Sequence, residues 1–427
     1  MTRLLTVAAS EARRATVGRS RPICAEPQPE VTARAWGTLL RPTMTPRRQN
    51  PFRPGRGVAP PVLAGREVEL GRAGQHLDWL ANGVMPPQDV LFYGPRGNGK
   101  TALLGELADR AKRLDLRVER FPVGALADRD ALTEELQERA GVRRDRLSGL
   151  QVAGTGATAA LVPPTRNTDS LLTGWLKAAP RPLVVLLDEA QAISIEAGRL
   201  FFDAVQSAKA GRSPFLLILA GTPDTPRRLR EAGTHNERGF DAIPVGRLDR
   251  TASMAALEEP AAAAGLRMTP EAAEALADEA RDYPYFVQLL GSAAWTAADR
   301  PGEDAIAGPA AEQAIAATRP RLDLFYQQRF AEARSRGVDH LLVPLAIRMR
   351  EANGRLADRE FRSLLRNAPR EEPNPGSWTA LLDTVTDLGV VWETPAGAWE
   401  MGIPSFADYV LRREAIPRPL PRQRARD

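Results

Sequence analysis

An α/β fold built on a parallel sheet is what this 427-residue chain predicts, and three observations carry the prediction. Short apolar strands alternate with helix-length segments between Asp89 and Val245. That alternation is the pattern of a parallel sheet covered on both faces by helices. A glycine-rich turn, Gly94-Pro95-Arg96-Gly97-Asn98-Gly99-Lys100-Thr101, follows the first of those strands and opens a helix. Farther on, the apolar run Leu183 to Leu187 ends in the adjacent acids Asp188 and Glu189. A continuous run of this kind reads as a strand buried on both faces.

The elements follow in order. Residues 1–58 hold scattered prolines, eleven arginines and no sustained periodicity, and read as a disordered basic tail with Met44 as the expected start of translation. Glu67 to Ala81 reads as an amphipathic helix with Leu70, Leu77 and Leu80 on its apolar stripe. Asp89 to Tyr93 is a short buried strand, and Lys100 opens a helix that runs to Leu114. Leu116 to Val123 reads as a strand and Asp128 to Ala140 as a helix, whereas 141–169, rich in Gly, Ala and Thr, yields no assignment. The strand Leu183 to Leu187, a helix from Ser194 to Ala210, and strands Phe215 to Ala220 and Ala242 to Val245 complete a unit over 59–250.

Residues 251–318 are alanine-rich and read as helical without a strand. Residues 319–412 read as a third unit, several helices followed by the strands Val390–Glu393 and Ala398–Met401 around a Thr-Pro-Ala-Gly turn. Helices ending in a small hairpin form a winged-helix pattern. Residues 413–427 are a second basic tail.

Composition narrows the function. One cysteine, Cys24, rules out an internal disulfide framework or a cysteine-rich zinc site. His76, His235 and His340 lie too far apart in sequence for metal-ligand spacing. No apolar run approaches the ~20 residues of a membrane span, so a soluble, cytoplasmic protein is expected. The net charge of +5 is unevenly spread: 1–58 carries +8 and 411–427 carries +4, which leaves the middle at −7. Basicity therefore sits in the tails, where it suits sequence-independent contact with DNA or plain solvation. Lysine occurs only four times against 54 arginines, so Lys100 at a motif position is not compositional drift.

Gly94 to Thr101 matches G-x-x-x-x-G-K-[ST], the phosphate-cradling P-loop. Its glycines let the backbone wrap around phosphates with successive N–H groups pointing inward. The helix opening at Lys100 adds a positive N-terminal end. Lys100 is a compact cation for the outer phosphates, and Thr101 offers a hydroxyl to Mg²⁺. The expected ligand is ATP with magnesium. Asp188 would stand at the carboxyl end of its strand, where ligands bind in parallel sheets. There it would hold the metal through water, and Glu189 would orient the attacking water.

A strand lies between the P-loop strand and the acidic strand, and an acid stands beside the metal-binding Asp188. In this the chain resembles the AAA+ group of P-loop ATPases. Phe215 to Thr222 resembles that group's sensor-1 strand, which implies that Thr222 faces the γ-phosphate. Arg238 in Glu237-Arg238-Gly239-Phe240 resembles an arginine finger, which implies a homo-oligomer completed in trans; Arg227, Arg228 and Arg230 compete for that role. Pro61 to Glu67 resembles the adenine-side box of origin-recognition-like and archaeal ATPases. Asp282-Tyr283-Pro284-Tyr285-Phe286 lies where those proteins carry sensor 2. The resemblance implies that Val62, Arg66 and Pro284 border the base, and it extends to a helical lid over 251–318 and a C-terminal winged helix. The sequence departs from the group at sensor 2, where Tyr and Pro replace the arginine and Arg281 stands a turn out of place.

These features predict an ATP hydrolase that works as a conformational switch. Two alternatives carry the same motifs: a DNA-associated initiator or transposition-type regulator in which ATP mainly orders the fold, and a signalling ATPase whose last domain binds a protein partner. From Glu371 to Val410 there is no basic residue and seven acidic ones. With Trp378, Trp392 and Trp399 expected to be exposed or half-buried, that stretch is predicted not to read DNA bases.

Overall fold

The computed structural model describes residues 48–55, 59–139, 168–178, 182–211, 214–232, 239–300, 302–368 and 377–414. The expectations placed on 1–47, on 141–167 and on 415–427 lie outside the described residues.

The first unit runs α1 (Glu67–Ala81), β1 (Asp89–Tyr93), α2 (Lys100–Arg113), β2 (Arg117–Phe121), α3 (Arg129–Arg139), α4 (Thr168–Lys177), β3 (Leu183–Leu187), α5 (Ile195–Ala210), β4 (Phe215–Gly221), α6 (Thr225–Glu231) and β5 (Phe240–Pro244). Its five strands form one parallel sheet in the order β2-β3-β4-β1-β5. Side chains of a strand alternate between faces. Val90, Phe92, Val184, Leu186, Leu216 and Ile218 therefore pack on α1 and α2, while Leu91, Val185, Leu187, Leu217 and Leu219 pack against α3, α4 and α5. Both faces being covered, the strands are apolar at nearly every position, which is why they stand out in the sequence. The register sets Tyr93 beside Gly221 and Leu187 beside Leu219, so the segments that leave β1, β3 and β4 emerge together at one sheet edge.

Helices α7 (Arg250–Ala263), α8 (Pro270–Ala280), α9 (Pro284–Ala298) and α10 (Gly308–Ser335) follow. Asp249 and Thr269 cap α7 and α8 by accepting the N–H of Ala252 and Ala272. Contrary to the all-helical expectation for 251–318, Arg267–Met268 (β6) and Ala305–Ile306 (β7) pair in parallel. Helix α10 also passes unbroken through residue 318, the expected unit boundary.

The C-terminal part contains α11 (Leu342–Glu351), β8 (Arg355–Ala357), α12 (Asp358–Arg366), α13 (Trp378–Asp387), β9 (Val391–Glu393), β10 (Ala398–Met401) and α14 (Phe406–Arg413). The hairpin gains a third strand, giving the antiparallel order β8-β10-β9. Arg355 lies on β8, whereas Arg359, Arg362 and Arg366 lie on α12. The exposure expected for the tryptophans fails at two of three positions. Trp399 is buried, stacks on Phe361 with ring centroids 4.3 Å apart and donates to Asp358, and Trp392 is buried near Gly246. One apolar cluster joins α7–α10 to the C-terminal part, from Leu257 and Phe286 through Leu345 to Tyr409.

The disorder expected up to residue 58 does not hold for 48–55. Phe52, 4% exposed, fits against the bare backbone of Gly291 on α9. Asn50 donates to the Ser292 carbonyl at 3.1 Å, and the Arg53 N–H donates to Gln288. No helix among the described residues is long and apolar enough to cross a membrane.

Candidate functional site

The loop between β1 and α2 is held from beneath. A side chain at Gly94 would collide with the carbonyl of Val245, just beyond β5, and one at Gly97 would collide with the Tyr283 hydroxyl. Gly97 also has φ +81°, a left-handed backbone that glycine adopts freely. Asn98 is buried and donates to the Val245 carbonyl at 3.0 Å, while its own Oδ1 has no hydrogen-bond partner. The loop is thus fixed by β5 on one side and by the start of α9 on the other.

Lys100 is buried and donates to the carbonyls of Gly94 and Pro95 at 2.8 and 2.7 Å. Burial lowers its pKa to about 8, against the opposing pull of Glu189 and Asp188. Next to it, the Thr101 hydroxyl donates to Asp188 Oδ2 at 2.6 Å. Glu189 holds a left-handed backbone, φ +52°, and its N–H returns to Asp188 Oδ1 at 2.9 Å. Strain at a non-glycine residue is the kind of local cost that clusters at functional sites. The Thr222 N–H, at the end of β4, donates to Gln191 Oε1 at 3.1 Å, and Gln191 Nε2 donates to the Glu189 carboxylate. The Thr222 hydroxyl is 2% exposed and has no partner among the described residues. Buried hydroxyls are as a rule hydrogen-bonded, so a free one is an exception at this place.

These atoms suit a nucleotide phosphate and a hard divalent cation. A hydroxyl and a carboxylate converging from two elements supply the few protein oxygens that Mg²⁺ takes, since the ion keeps waters and phosphate oxygens for the rest. Among the described residues no group of three or more His, Cys, Asp or Glu could hold a metal on its own.

The sequence-predicted residues separate into those brought together and those not. Gly94 to Thr101, Asp188, Glu189 and Thr222 converge at the edge of the sheet. Arg238 lies outside the described residues. Arg66 is 4% exposed and bridges the carbonyls of Asn98 and Gly246 at 3.0 and 2.7 Å, so it braces the loop. Val62 lines a cavity of about 530 Å³ with Leu63, Leu70, Ala252 and Ala255, whose lining includes no P-loop residue. Pro284 occupies the first turn of α9, where its missing N–H costs nothing. The contact to the P-loop comes instead from Tyr283, 1% exposed, whose hydroxyl donates to the Arg96 carbonyl at 2.5 Å. Burial raises its pKa, so the phenol stays a neutral donor. Arg281 turns away and pairs with Asp408 on α14.

Gln191 escaped the sequence reading as a contributor, and Arg228, weighed there as a finger, has a different place. Gln191 sits two residues past Glu189, a spacing that carries no signal without the turn that folds it back. Arg228 is engaged by Asp224 and Asp387, and so is tied inside the chain.

Residues 87–229 match the AAA domain family. No curated protein matches the sequence. Among solved structures, the Walker-type ATPase of Pyrococcus abyssi is similar at 16% identity and TM-score 0.52, with 81% of this chain and 95% of that chain covered. The RuvB Holliday-junction branch-migration motor of Thermotoga maritima is similar at 15% identity, 84% and 97% coverage and TM-score 0.46. The ORC1 protein of Aeropyrum pernix in complex with DNA is similar at 19% identity, 83% and 94% coverage and TM-score 0.42. With its sheet order and its P-loop between β1 and α2, the segment that matches the AAA domain family has the α/β architecture of an AAA+ P-loop core.

Proposed function

We propose that the protein hydrolyses ATP to ADP and phosphate, slowly, and uses the cycle as a conformational switch. The observation that carries this reading is the convergence of buried Lys100, the Thr101–Asp188 pair and Glu189 at one sheet edge. Lys100 exchanges two loop carbonyls for phosphate oxygens when the nucleotide enters. Thr101 and Asp188 are the groups that would hold magnesium, which supplies charge neutralisation on the phosphates. Glu189 orients water and accepts its proton, and the free Thr222 hydroxyl recognises the outer phosphate. Helices over 251–318 act as the lid, with Tyr283 at the position of the missing sensor-2 arginine. Residues 319–412 act as a winged-helix unit that moves with the cycle. Arg238 completes the site of a neighbouring copy, and the single cysteine accords with a reducing, cytoplasmic setting.

Replacing Glu189 by Gln tests the reading. Turnover should vanish while calorimetric ATP affinity persists. Wild-type protein that binds ATP and never turns it over would instead favour the DNA-associated regulator, in which ATP orders the fold. Specific activity that stays flat from dilute to concentrated protein would remove the trans role of Arg238.

A further inference from the structure

Gln191 uses three of its polar atoms at once. Its side-chain nitrogen donates to the Glu189 carboxylate, and its side-chain oxygen accepts the Thr222 N–H at 3.1 Å. An amide is the side chain that can serve a carboxylate and an N–H together, because it carries a donor and an acceptor. Its backbone carbonyl accepts from Arg228 Nη1 at 3.2 Å. Arg228 leaves the nucleotide site on its other side: Nη2 donates to Asp387 at 2.9 Å, at the end of α13. Nε of the same arginine donates to buried Asp224 at 2.9 Å, which fixes the guanidinium in one orientation. Arg336, just past the end of α10, stands 3.7 Å from the second Asp387 oxygen. A continuous polar chain therefore joins Glu189 to the C-terminal part through Gln191, Arg228 and Asp387.

We propose that Gln191 is a positioning residue through which the C-terminal unit restrains Glu189. The inference rests on the hydrolytic reading above. To work on water, Glu189 needs an open carboxylate; here an amide donor holds it toward the turn at Ala190–Ala192. The same amide ties the Thr222 backbone, so both groups are held in one arrangement. Asp387 anchors Arg228, and Arg228 anchors the turn that carries Gln191. Displacement of α13 removes one anchor and loosens the hold on Glu189. The acids of α13 thereby acquire a purpose in the ATP cycle that requires no outside partner.

The test compares wild type, Gln191→Met, Asp387→Asn and the double variant in the full chain. Methionine keeps the length of the side chain and removes both hydrogen bonds. In Gln191→Met, kcat should rise about two- to tenfold, the scale of one or two hydrogen bonds, with ATP affinity and KM unchanged. Asp387→Asn should raise kcat in the same direction by less. The double variant should match Gln191→Met, since Asp387 acts through Gln191. A fall in kcat with Gln191→Met, or a wild-type rate in Asp387→Asn, overturns the restraint. Hydrogen exchange at the Thr222 amide supplies a readout that does not need turnover. It should quicken in Asp387→Asn as well as in Gln191→Met. If wild type never hydrolyses ATP the hydrolytic reading fails, whereas unchanged exchange at Thr222 in Asp387→Asn overturns the relay itself.

Discussion

At the scale of single residues, Lys100 separates binding from folding. In the free protein it gives its charge to two carbonyls of its own loop, with burial opposing the charged form. Lys100→Ala should leave thermal stability unchanged or raise it, because a costly buried cation disappears. It should also abolish tight ATP binding in calorimetry, since the loop from Gly94 to Gly99 then meets the phosphates without its lysine cation. Unchanged affinity would count decisively against the site. The pKa gives a second prediction. Above pH 8 the free lysine loses its proton, and polyphosphate restores it. ATP binding between pH 8 and 10.5 should therefore take up a proton, and affinity should fall about tenfold per pH unit there. The folding linkage has the opposite sign. A lysine whose folded pKa is depressed binds fewer protons than in the unfolded chain, so its contribution to stability rises with pH across that window. Calorimetry in buffers of different ionisation heat checks the uptake, and binding without proton exchange at pH 9 would refute it.

Among elements, the segment 48–55 is the least expected. Phe52→Ala should remove about 3–5 kcal/mol of packing at that site, because the ring fills a slot over Gly291. The loss falls on the docking of this segment more than on the sheet. Trypsin should then cleave after Arg48 markedly faster while the rest of the chain stays intact; equal cleavage rates would show that Phe52 does not hold the segment down. The sequence hides this element because one aromatic among arginines and prolines makes no periodic pattern. Strands β1 and β3 and helix α1 are legible to the residue, since their apolar runs are long and flanked by turn or cap residues. Strands β6, β7 and β8 are not, as two or three residues with one buried side chain fall below any period. At the site, the P-loop and the Asp188–Glu189 pair are legible because their spacing is itself the chemistry. Gln191 and Tyr283 are not, because their contacts depend on a folded-back turn and on where α9 meets the loop. The tryptophans mislead for a related reason: acidic neighbours suggest a surface, but Glu400 is itself buried, held by Arg247 and Arg355 at 2.9 and 2.7 Å.

For the whole molecule, the question is where a polyanion could bind. The acids of the C-terminal part are largely engaged within the chain. Asp387 pairs with Arg228, Glu400 with Arg247 and Arg355, Asp408 with Arg281, and Asp383 lies 3.8 Å from Arg227. The helix that would enter a DNA groove in a winged helix, α13, therefore presents acids to the core's arginines and offers no Lys or Arg of its own. Base readout needs donors and acceptors aimed at a groove, and docking needs phosphates neutralised. α13 supplies no cation for phosphates, and its neutral hydrogen-bonding groups are only threonine hydroxyls and the Trp378 indole. The sequence places its excess positive charge at 1–58 and 411–427. DNA binding, measured by fluorescence anisotropy, should therefore be equal for unrelated duplexes and should weaken steeply with salt, with a slope near −0.9 per phosphate contacted. Removing 1–47 and 415–427 should abolish most of it, whereas Thr379→Ala on α13 should change nothing. A footprint with a defined sequence preference that survives removal of both tails and disappears with Thr379→Ala would place recognition on α13. It would also require α13 to leave the core arginines before DNA could approach, because the ion pairs at Asp387 and the contact with a duplex compete for the same part of the molecule.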